Sequence, residues 1–262
     1  MNGLLDYGGR DNGGFGAIVL LHGLMGRGRT WNRQIPWLKR YGRVFTFDAA
    51  YHQGAFADDP MPTDEDIATE RFATDVAELI TWIDRGPAVL IGHSMGGLHA
   101  WCTASQYPEL VSAIVVEDMA PDFRGRTTGD WAPWFNSWPD RFDNLEHAVD
   151  MFGEVAGRYF YESFDDGRLH GSIPVWGAIA EEWGTRDFWP QWDAVDVPAL
   201  LLEAEFTVTP EGQMAQMAQR GKQTRYEQSQ YLRVEGAGHL IHDDHPDVYR
   251  GAVEAFLSSL PG

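Results

Sequence analysis

Short, unbroken runs of apolar and β-branched residues recur along this chain, separated by stretches in which apolar residues have helical spacing. Unbroken apolar runs of this length are typical of parallel strands that are buried on both faces of a sheet. The runs interpreted as core strands are residues 17–21, 44–48, 88–91, 111–117, 197–203 and 230–234. Alternation of such strands with helices predicts an α/β fold with a mostly parallel sheet and helices on both faces.

The segments between these strands show the spacing of amphipathic helices. Phe72, Val76 and Ile83, for example, lie on one face of a helix predicted over residues 67–84. The other predicted helices are residues 30–41, 98–104, 144–164, 173–183, 211–221 and 246–260. Before the first core strand only Gly3–Tyr7 has strand character, which predicts a short strand at the edge of the sheet.

The pattern changes between residues 122 and 192. Strand-like runs are missing there, and seven tryptophans occur: Trp131, Trp134, Trp138, Trp176, Trp183, Trp189 and Trp192. We predict a core formed by residues 1–121 and 193–262, with 122–192 inserted into it as a helical segment. Most of the tryptophans should pack this segment onto the core, because tryptophan is more often structural than ligand-binding. A few facing a cavity would favour an apolar or aromatic ligand.

Composition limits the classes of partner. The net charge of −19 and the isoelectric point near 4.7 argue against nucleic acid or an anionic membrane surface as a partner. No apolar run approaches the roughly 20 residues of a membrane helix, and residues 1–16 lack the apolar centre of a signal peptide. The single cysteine, Cys102, excludes an internal disulfide. These features predict a cytoplasmic protein, with its oligomeric state left open.

The candidate nucleophile is Ser94. The strand over residues 88–91 runs into Gly92-His93-Ser94-Met95-Gly96 and then directly into a helix, which is the sequence pattern of a nucleophile elbow. Gly92 and Gly96 lack a Cβ, so the chain can pass closely around a serine in a strained turn. The first N–H groups of the following helix point toward developing negative charge.

Three motifs in this order resemble the α/β-hydrolase family: Leu20-Leu21-His22-Gly23, the elbow residues 92–97, and Gly236-Ala237-Gly238-His239. The resemblance extends from about residue 17 to the C-terminus and implies an α/β-hydrolase fold. It also implies that the helical segment 122–192 is a lid over Ser94, and that the backbone N–H groups of Leu24 and Met95 form an oxyanion hole. It names no substrate, because one fold supports many chemistries.

A serine nucleophile needs a base, and His239 is the best candidate among nine histidines. It follows the last strand in a glycine-flanked loop that can reach over the edge of the sheet. His242 and His245 follow at three-residue spacing, which matches no zinc pattern, and we interpret both as loop and cap residues. His52, after the strand at 44–48, is interpreted as a histidine that fixes a loop.

The acid that orients the base has two candidates. The position that carries an aspartate in most of the family corresponds here to Thr207. Some members place the acid after the preceding core strand, which here ends in Glu117-Asp118, and Asp118-Met119-Ala120-Pro121 resembles the turn found in those members. We favour Asp118, with Glu205 as the alternative.

These residues predict a Ser-His-Asp hydrolase of carboxylic esters or thioesters with an apolar or aromatic acyl part. We expect no cofactor and no metal. Three alternatives stay open: a carbon–carbon bond hydrolase of vinylogous diketones, a cofactor-free perhydrolase, and a non-catalytic ligand-binding member. An epoxide hydrolase or haloalkane dehalogenase is disfavoured, because the elbow nucleophile of those enzymes is an aspartate.

Overall fold

Seven strands form one sheet in the computed structural model, which describes residues 3–11, 14–54, 60–127, 131–221 and 229–260. The strands are β1 (Leu4–Gly9), β2 (Phe15–Leu21), β3 (Gly42–Phe47), β4 (Ala88–His93), β5 (Val111–Glu117), β6 (Ala199–Phe206) and β7 (Gln230–Gly238). Their order across the sheet is β1-β3-β2-β4-β5-β6-β7. Only β1 is antiparallel to its neighbour, and every other pair in this sheet is parallel. The predicted α/β-hydrolase fold is confirmed.

The helices of the described residues surround this sheet. They are α1 (Ile35–Leu38), α2 (Thr69–Ile83), α3 (Met95–Gln106), α4 (Ala132–Asn136), α5 (Leu145–Phe152), α6 (Glu154–Glu162), α7 (Ile173–Gly184), α8 (Trp189–Asp193), α9 (Gln213–Gly221), α10 (Ile241–Asp244) and α11 (Pro246–Ser259). Short 3-10 helices occupy Gly28–Trp31 and Pro108–Leu110. No helix in the described part of the chain is both long enough and apolar enough to cross a bilayer.

Both faces of the sheet are covered, as the unbroken apolar strands require. Along β2, Val19 packs into a core with α2 and α3, whereas its neighbours Ile18 and Leu20 pack into a second core that includes Trp31 and Phe256. Side chains that alternate along a strand therefore support two hydrophobic layers. The two layers fix the strands so that the carboxyl ends of β4, β5 and β6 lie side by side at one edge.

Two predicted helices differ from the structure. Residues 144–164 form two helices, because Gly153 has a φ of 81° and ends α5, while α6 begins at Glu154. Residues 30–41 form the end of a 3-10 helix followed by the short α1. Pro36 has no N–H to donate to the carbonyl of Asn32, so one continuous helix would lose a hydrogen bond there.

The segment between β5 and β6 contains five of the helices described, α4 to α8. Aromatic rings of α4, α5 and α6 pack on each other and on Trp138: the centroid of the Trp138 ring lies 4.6 Å from that of Phe160 and 4.7 Å from that of Phe152. Trp134 contacts the same group and stays 37% exposed. In contrast, Trp192 of α8 packs edge-on against Trp101 of α3. The inserted segment thus has its own aromatic cluster and also contacts the sheet-covering helices.

Candidate active site

Ser94 lies in a sharp turn between β4 and α3. Its φ of 52° and ψ of −122° are unusual for a residue with a Cβ, and such strain is characteristic of functional turns. The Ser94 N–H donates to the carbonyl of Glu117 at 2.8 Å, which ties the turn to the end of β5. A Cβ on Gly92 would collide with the backbone of Gly96, and one on Gly96 would collide with that of Leu21. The predicted need for glycine at both positions is confirmed.

His239 follows directly after β7 and contacts a carboxylate. Its Nδ1 lies 2.6 Å from Oδ2 of Asp118, which is fully buried, while the His239 side chain is 27% exposed. A carboxylate accepts hydrogen bonds, so Nδ1 carries the proton and the lone pair of Nε2 remains available as a base. The His239 ring lies 4.6 Å, centroid to centroid, from that of His93, the residue that precedes Ser94.

The Asp118 carboxylate is fixed on its second oxygen as well. Oδ1 accepts the Ala204 N–H at 2.9 Å and the Thr207 hydroxyl at 2.7 Å. Glu205 is exposed, and its carboxylate accepts the Gly236 N–H at 2.7 Å. Of the two acids predicted from the sequence, the structure brings Asp118 to His239 and directs Glu205 to the backbone of β7.

The loop after β2 carries Leu24, one of the two predicted oxyanion donors. Within it, the Met25 N–H donates to Nε2 of His52 at 3.2 Å, and the Gly26 N–H donates to the Gly23 carbonyl at 3.0 Å. Neither the Leu24 N–H nor that of Met95, the first residue of α3, has an acceptor among the described residues. The two predicted oxyanion donors thus lack an acceptor within this part of the chain.

Two buried histidines support this loop. Nε2 of His22 accepts the Ala49 N–H at 2.9 Å and its Nδ1 donates to the Gly23 carbonyl at 2.8 Å. Burial, reinforced by the nearby His22, holds the pKa of His52 well below its usual value, so His52 is neutral and able to accept the Met25 N–H. The interpretation of His52 as a loop-fixing residue agrees with this contact.

A second carboxylate–imidazole pair lies beside the first, and no sequence motif indicates it. Glu117 and His242 are both fully buried; Nδ1 of His242 lies 2.9 Å from both carboxylate oxygens, and its backbone N–H also donates to Glu117. The His242 ring stacks on Trp31 at 4.5 Å. His242 is thus a buried residue of α10, and its interpretation as a loop or cap residue is wrong; His245 does occupy the cap position of α11.

The pH dependence of stability should reveal the charge of this pair. Burial disfavours the charged imidazole, but the charge and hydrogen bond of Glu117 outweigh it and raise the pKa of His242 above 6.5. A raised folded-state pKa stabilises the fold below the unfolded-state value, and this contribution is lost as pH rises through the folded-state value. Relative to His242→Gln, we expect the wild type to be more stable by about 3 kcal/mol near pH 6, with a smaller difference at pH 9.

Urea denaturation of both proteins between pH 6 and 9 measures this difference, and the contributions of histidines remote from His242 cancel in it. His147→Gln, on the surface of α5, is the matched control and should show a small, constant difference. A difference for His242→Gln that instead grows as pH rises would mean that His242 is neutral in the fold, and a constant difference would mean that folding does not shift its pKa.

Comparison with known proteins agrees with this geometry. The sequence profile of the alpha/beta hydrolase family matches residues 18–252. The 2-(acetamidomethylene)succinate hydrolase of Mesorhizobium japonicum is 25% identical over 265 residues, which cover 95% of this chain and 91% of that protein.

Solved structures resemble the whole chain. The crystal structure of E-2-(acetamidomethylene)succinate hydrolase has a TM-score of 0.80 at 19% identity and covers 98% of this chain and 94% of its own. That of the enol-lactonase from Burkholderia xenovorans LB400 has a TM-score of 0.71 at 20% identity and covers 98% and 96%. At these identities the structures establish a shared fold.

Proposed function

The chain belongs to the alpha/beta hydrolase family, and from this premise we propose that it is a serine hydrolase that cleaves carboxylic esters or thioesters through an acyl-enzyme. The observation that carries the proposal is the hydrogen bond between His239 and the buried Asp118, beside a strained Ser94. Without a base, a serine hydroxyl is a weak nucleophile at neutral pH, and this pair supplies the base.

The proposed reaction has two stages. Ser94 attacks the acyl carbonyl while Nε2 of His239 takes its proton, and the N–H groups of Leu24 and Met95 bind the oxyanion. His239 then returns the proton to the leaving alcohol or thiol. Water, activated by the same imidazole, hydrolyses the acyl-enzyme. Asp118 holds the His239 ring and stabilises its charged form throughout.

The acyl group is proposed to be apolar or aromatic, with residues 122–192 acting as a lid over it. Tyr159 of α6 is buried with its ring 5.9 Å from that of His93, and Trp176 of α7 stacks on His52 at 5.1 Å. These contacts bring aromatic residues of the insertion against the elbow and against His52, which accepts a hydrogen bond from the loop that carries Leu24. Such surroundings favour an acyl chain without charge.

The charges near the loop after β2 also favour an uncharged acyl group. Arg27, three residues after Leu24, is paired with Asp48 at 3.3 Å and with Asp165 at 3.0 Å. The name of the Mesorhizobium relative describes a dicarboxylate substrate. A substrate of that charge would need a cationic side chain to bind it, whereas Arg27 is already in ion pairs with two carboxylates, one of which it shares with Arg29.

A panel of p-nitrophenyl esters and acyl-CoA thioesters tests this proposal. We expect kcat/KM to rise by about 15-fold for every two methylenes of the acyl chain that the protein buries, since each contributes about 0.8 kcal/mol. Benzoyl and phenylacetyl esters should also react, and a fluorophosphonate probe should label Ser94. Faster cleavage of a succinyl monoester than of the butyryl ester would contradict the apolar acyl site.

Further assays beside this panel separate the alternatives. Turnover of a vinylogous diketone without turnover of any ester would favour the carbon–carbon bond hydrolase. Halide-dependent bromination that requires peroxide and acetate would support the perhydrolase hypothesis. If the protein binds the fluorophosphonate probe but Ser94 is not labelled, the protein is a non-catalytic, ligand-binding member of the family.

A further inference from the structure

We propose that His93, the residue immediately before Ser94, is a positioning residue that holds the His239 imidazole in line with the serine. This inference rests on the proposed function, because it requires His239 to act as the base. His93 itself transfers no proton in this scheme. It acts on the reaction through the backbone of His239.

The central contact joins the elbow to the loop after β7, which carries His239. Nε2 of His93 lies 3.0 Å from the backbone carbonyl oxygen of His239. A carbonyl can only accept, so Nε2 of His93 carries the proton and donates it. The carbonyl carbon is bonded to the Cα of His239. Holding this carbonyl therefore limits the orientation of the Cα–Cβ bond and of the imidazole attached to it. Asp118 holds the same residue at the ring, so His239 is fixed at two points.

A further tie limits the movement of His239. His239 directly follows the edge strand β7, which ends with Gly236, at a φ of 77°, and Gly238, and the N–H groups of these glycines donate to Glu205 and Asp244. Glycines leave the backbone many conformations, and misplacement of a catalytic group by about 1 Å can cost about 100-fold in rate. Since His93 and Ser94 are consecutive, a bond from His93 to this loop fixes the base relative to the nucleophile directly.

His93 is suited to this role because it is buried and uncharged. It is 3% exposed, and burial, with His239 and His242 acting in the same direction, holds its pKa well below the usual value. Three groups surround the ring: His239 at 4.6 Å, His242 at 5.3 Å and Tyr159 at 5.9 Å. A neutral His93 ring adds no repulsion to the positive charge that develops on His239.

The other ring nitrogen explains why His93 is not a second base. A Cβ on Gly23 would lie only 2.6 Å from Nδ1 of His93, so this nitrogen faces the backbone of the loop after β2. Nδ1 is buried and has no hydrogen-bond partner among the described residues. His93 therefore packs between three parts of the site, and contacts each of them: the loop after β2, Ser94 and the loop after β7.

Two substitutions in the full-length protein separate donation from packing. His93→Phe keeps a planar ring but removes the donor, and His93→Gln keeps an N–H donor. For His93→Phe we expect kcat to fall about 10- to 100-fold with KM nearly unchanged, because substrate binding survives while the base is misaligned. His93→Gln should recover most of the lost kcat. His147→Phe, on the surface, is the control and should match the wild type.

A labelling rate and a spectrum complete the test. Fluorophosphonate labelling of Ser94 should slow in parallel with kcat in His93→Phe, since both reactions use His239. If His93→Phe fails to fold, the wild-type protein still decides: two-bond ¹H–¹⁵N NMR should find His93 in the Nε2–H tautomer between pH 6 and 8.

Failure of the inference is distinguishable from failure of the proposed function. A wild type that turns over no ester and labels no serine refutes the proposed function. A reactive wild type with an equally reactive His93→Phe refutes the role of His93 alone, as does an Nδ1–H tautomer. Equal losses in Phe and Gln variants would also overturn it, because donation would then be irrelevant.

Discussion

Ser94→Ala is expected to lower kcat by roughly 10⁵- to 10⁶-fold, the loss typical when a triad serine is removed. The hydroxyl oxygen forms the bond to the acyl carbon, so no neighbouring group can replace it. A residual rate of up to about 10³-fold over background would come from the oxyanion hole and substrate binding. Steady-state assays with the best ester of the panel measure the loss in kcat, and long end-point assays measure the residual rate over background.

The fold should survive this substitution. The Ser94 backbone N–H still donates to Glu117, and alanine carries the same Cβ in the same strained turn. We therefore expect a thermal midpoint within about 2 °C of the wild type. Ser258→Ala, at an exposed position of α11, is the matched control and should retain full activity. Full activity of Ser94→Ala would assign the nucleophile to another group.

Asp118→Asn is expected to lower kcat by about 10⁴-fold, through the tautomer of His239. The Ala204 N–H and the Thr207 hydroxyl both donate to Oδ1, so the oxygen of the new amide must stay there. The amide nitrogen then replaces Oδ2 and presents a donor to Nδ1 of His239. That contact favours a proton on Nε2, and an imidazole protonated at Nε2 cannot take the proton of Ser94.

Glu205→Gln is the matched comparison and should change kcat by less than about threefold. The side-chain oxygen of glutamine can still accept the Gly236 N–H, the contact that the Glu205 carboxylate makes now, and the loss of one exposed charge is worth little. Steady-state kinetics on both variants, with circular dichroism to check folding, gives the ranking. A larger loss in Glu205→Gln than in Asp118→Asn would assign the acid to Glu205.

The sequence predicted the fold class because its signals are local. Unbroken apolar runs identify buried strands, and they gave the core strands to within a few residues at most ends. The elbow could likewise be predicted, since the collision of a Cβ at Gly92 with Gly96 arises within five residues of chain. Helix boundaries were less certain: the break at Gly153 depends on a backbone conformation that a glycine permits but does not require.

Contacts across the sheet could not be predicted in the same way. Thr207, at the position where most of the family carries an aspartate, donates to Asp118, so the two positions are linked although they are far apart in sequence. The burial of His242 against Glu117 and the bond from His93 to His239 also join distant segments. A histidine beside a serine has the same sequence pattern whether its ring is solvated or buried.

The sequence by itself therefore determined the sheet, the strained turn at Ser94 and a short set of candidate partners, because each depends on neighbours along the chain. The tertiary structure alone decided which carboxylate meets His239. That choice follows from the order β5-β6-β7, which places the end of β5 within hydrogen-bond distance of the loop after β7 and leaves Glu205 facing the backbone of β7. Adjacent strands in space need not be adjacent in sequence, and side-chain geometry at their ends exists only after the sheet has formed.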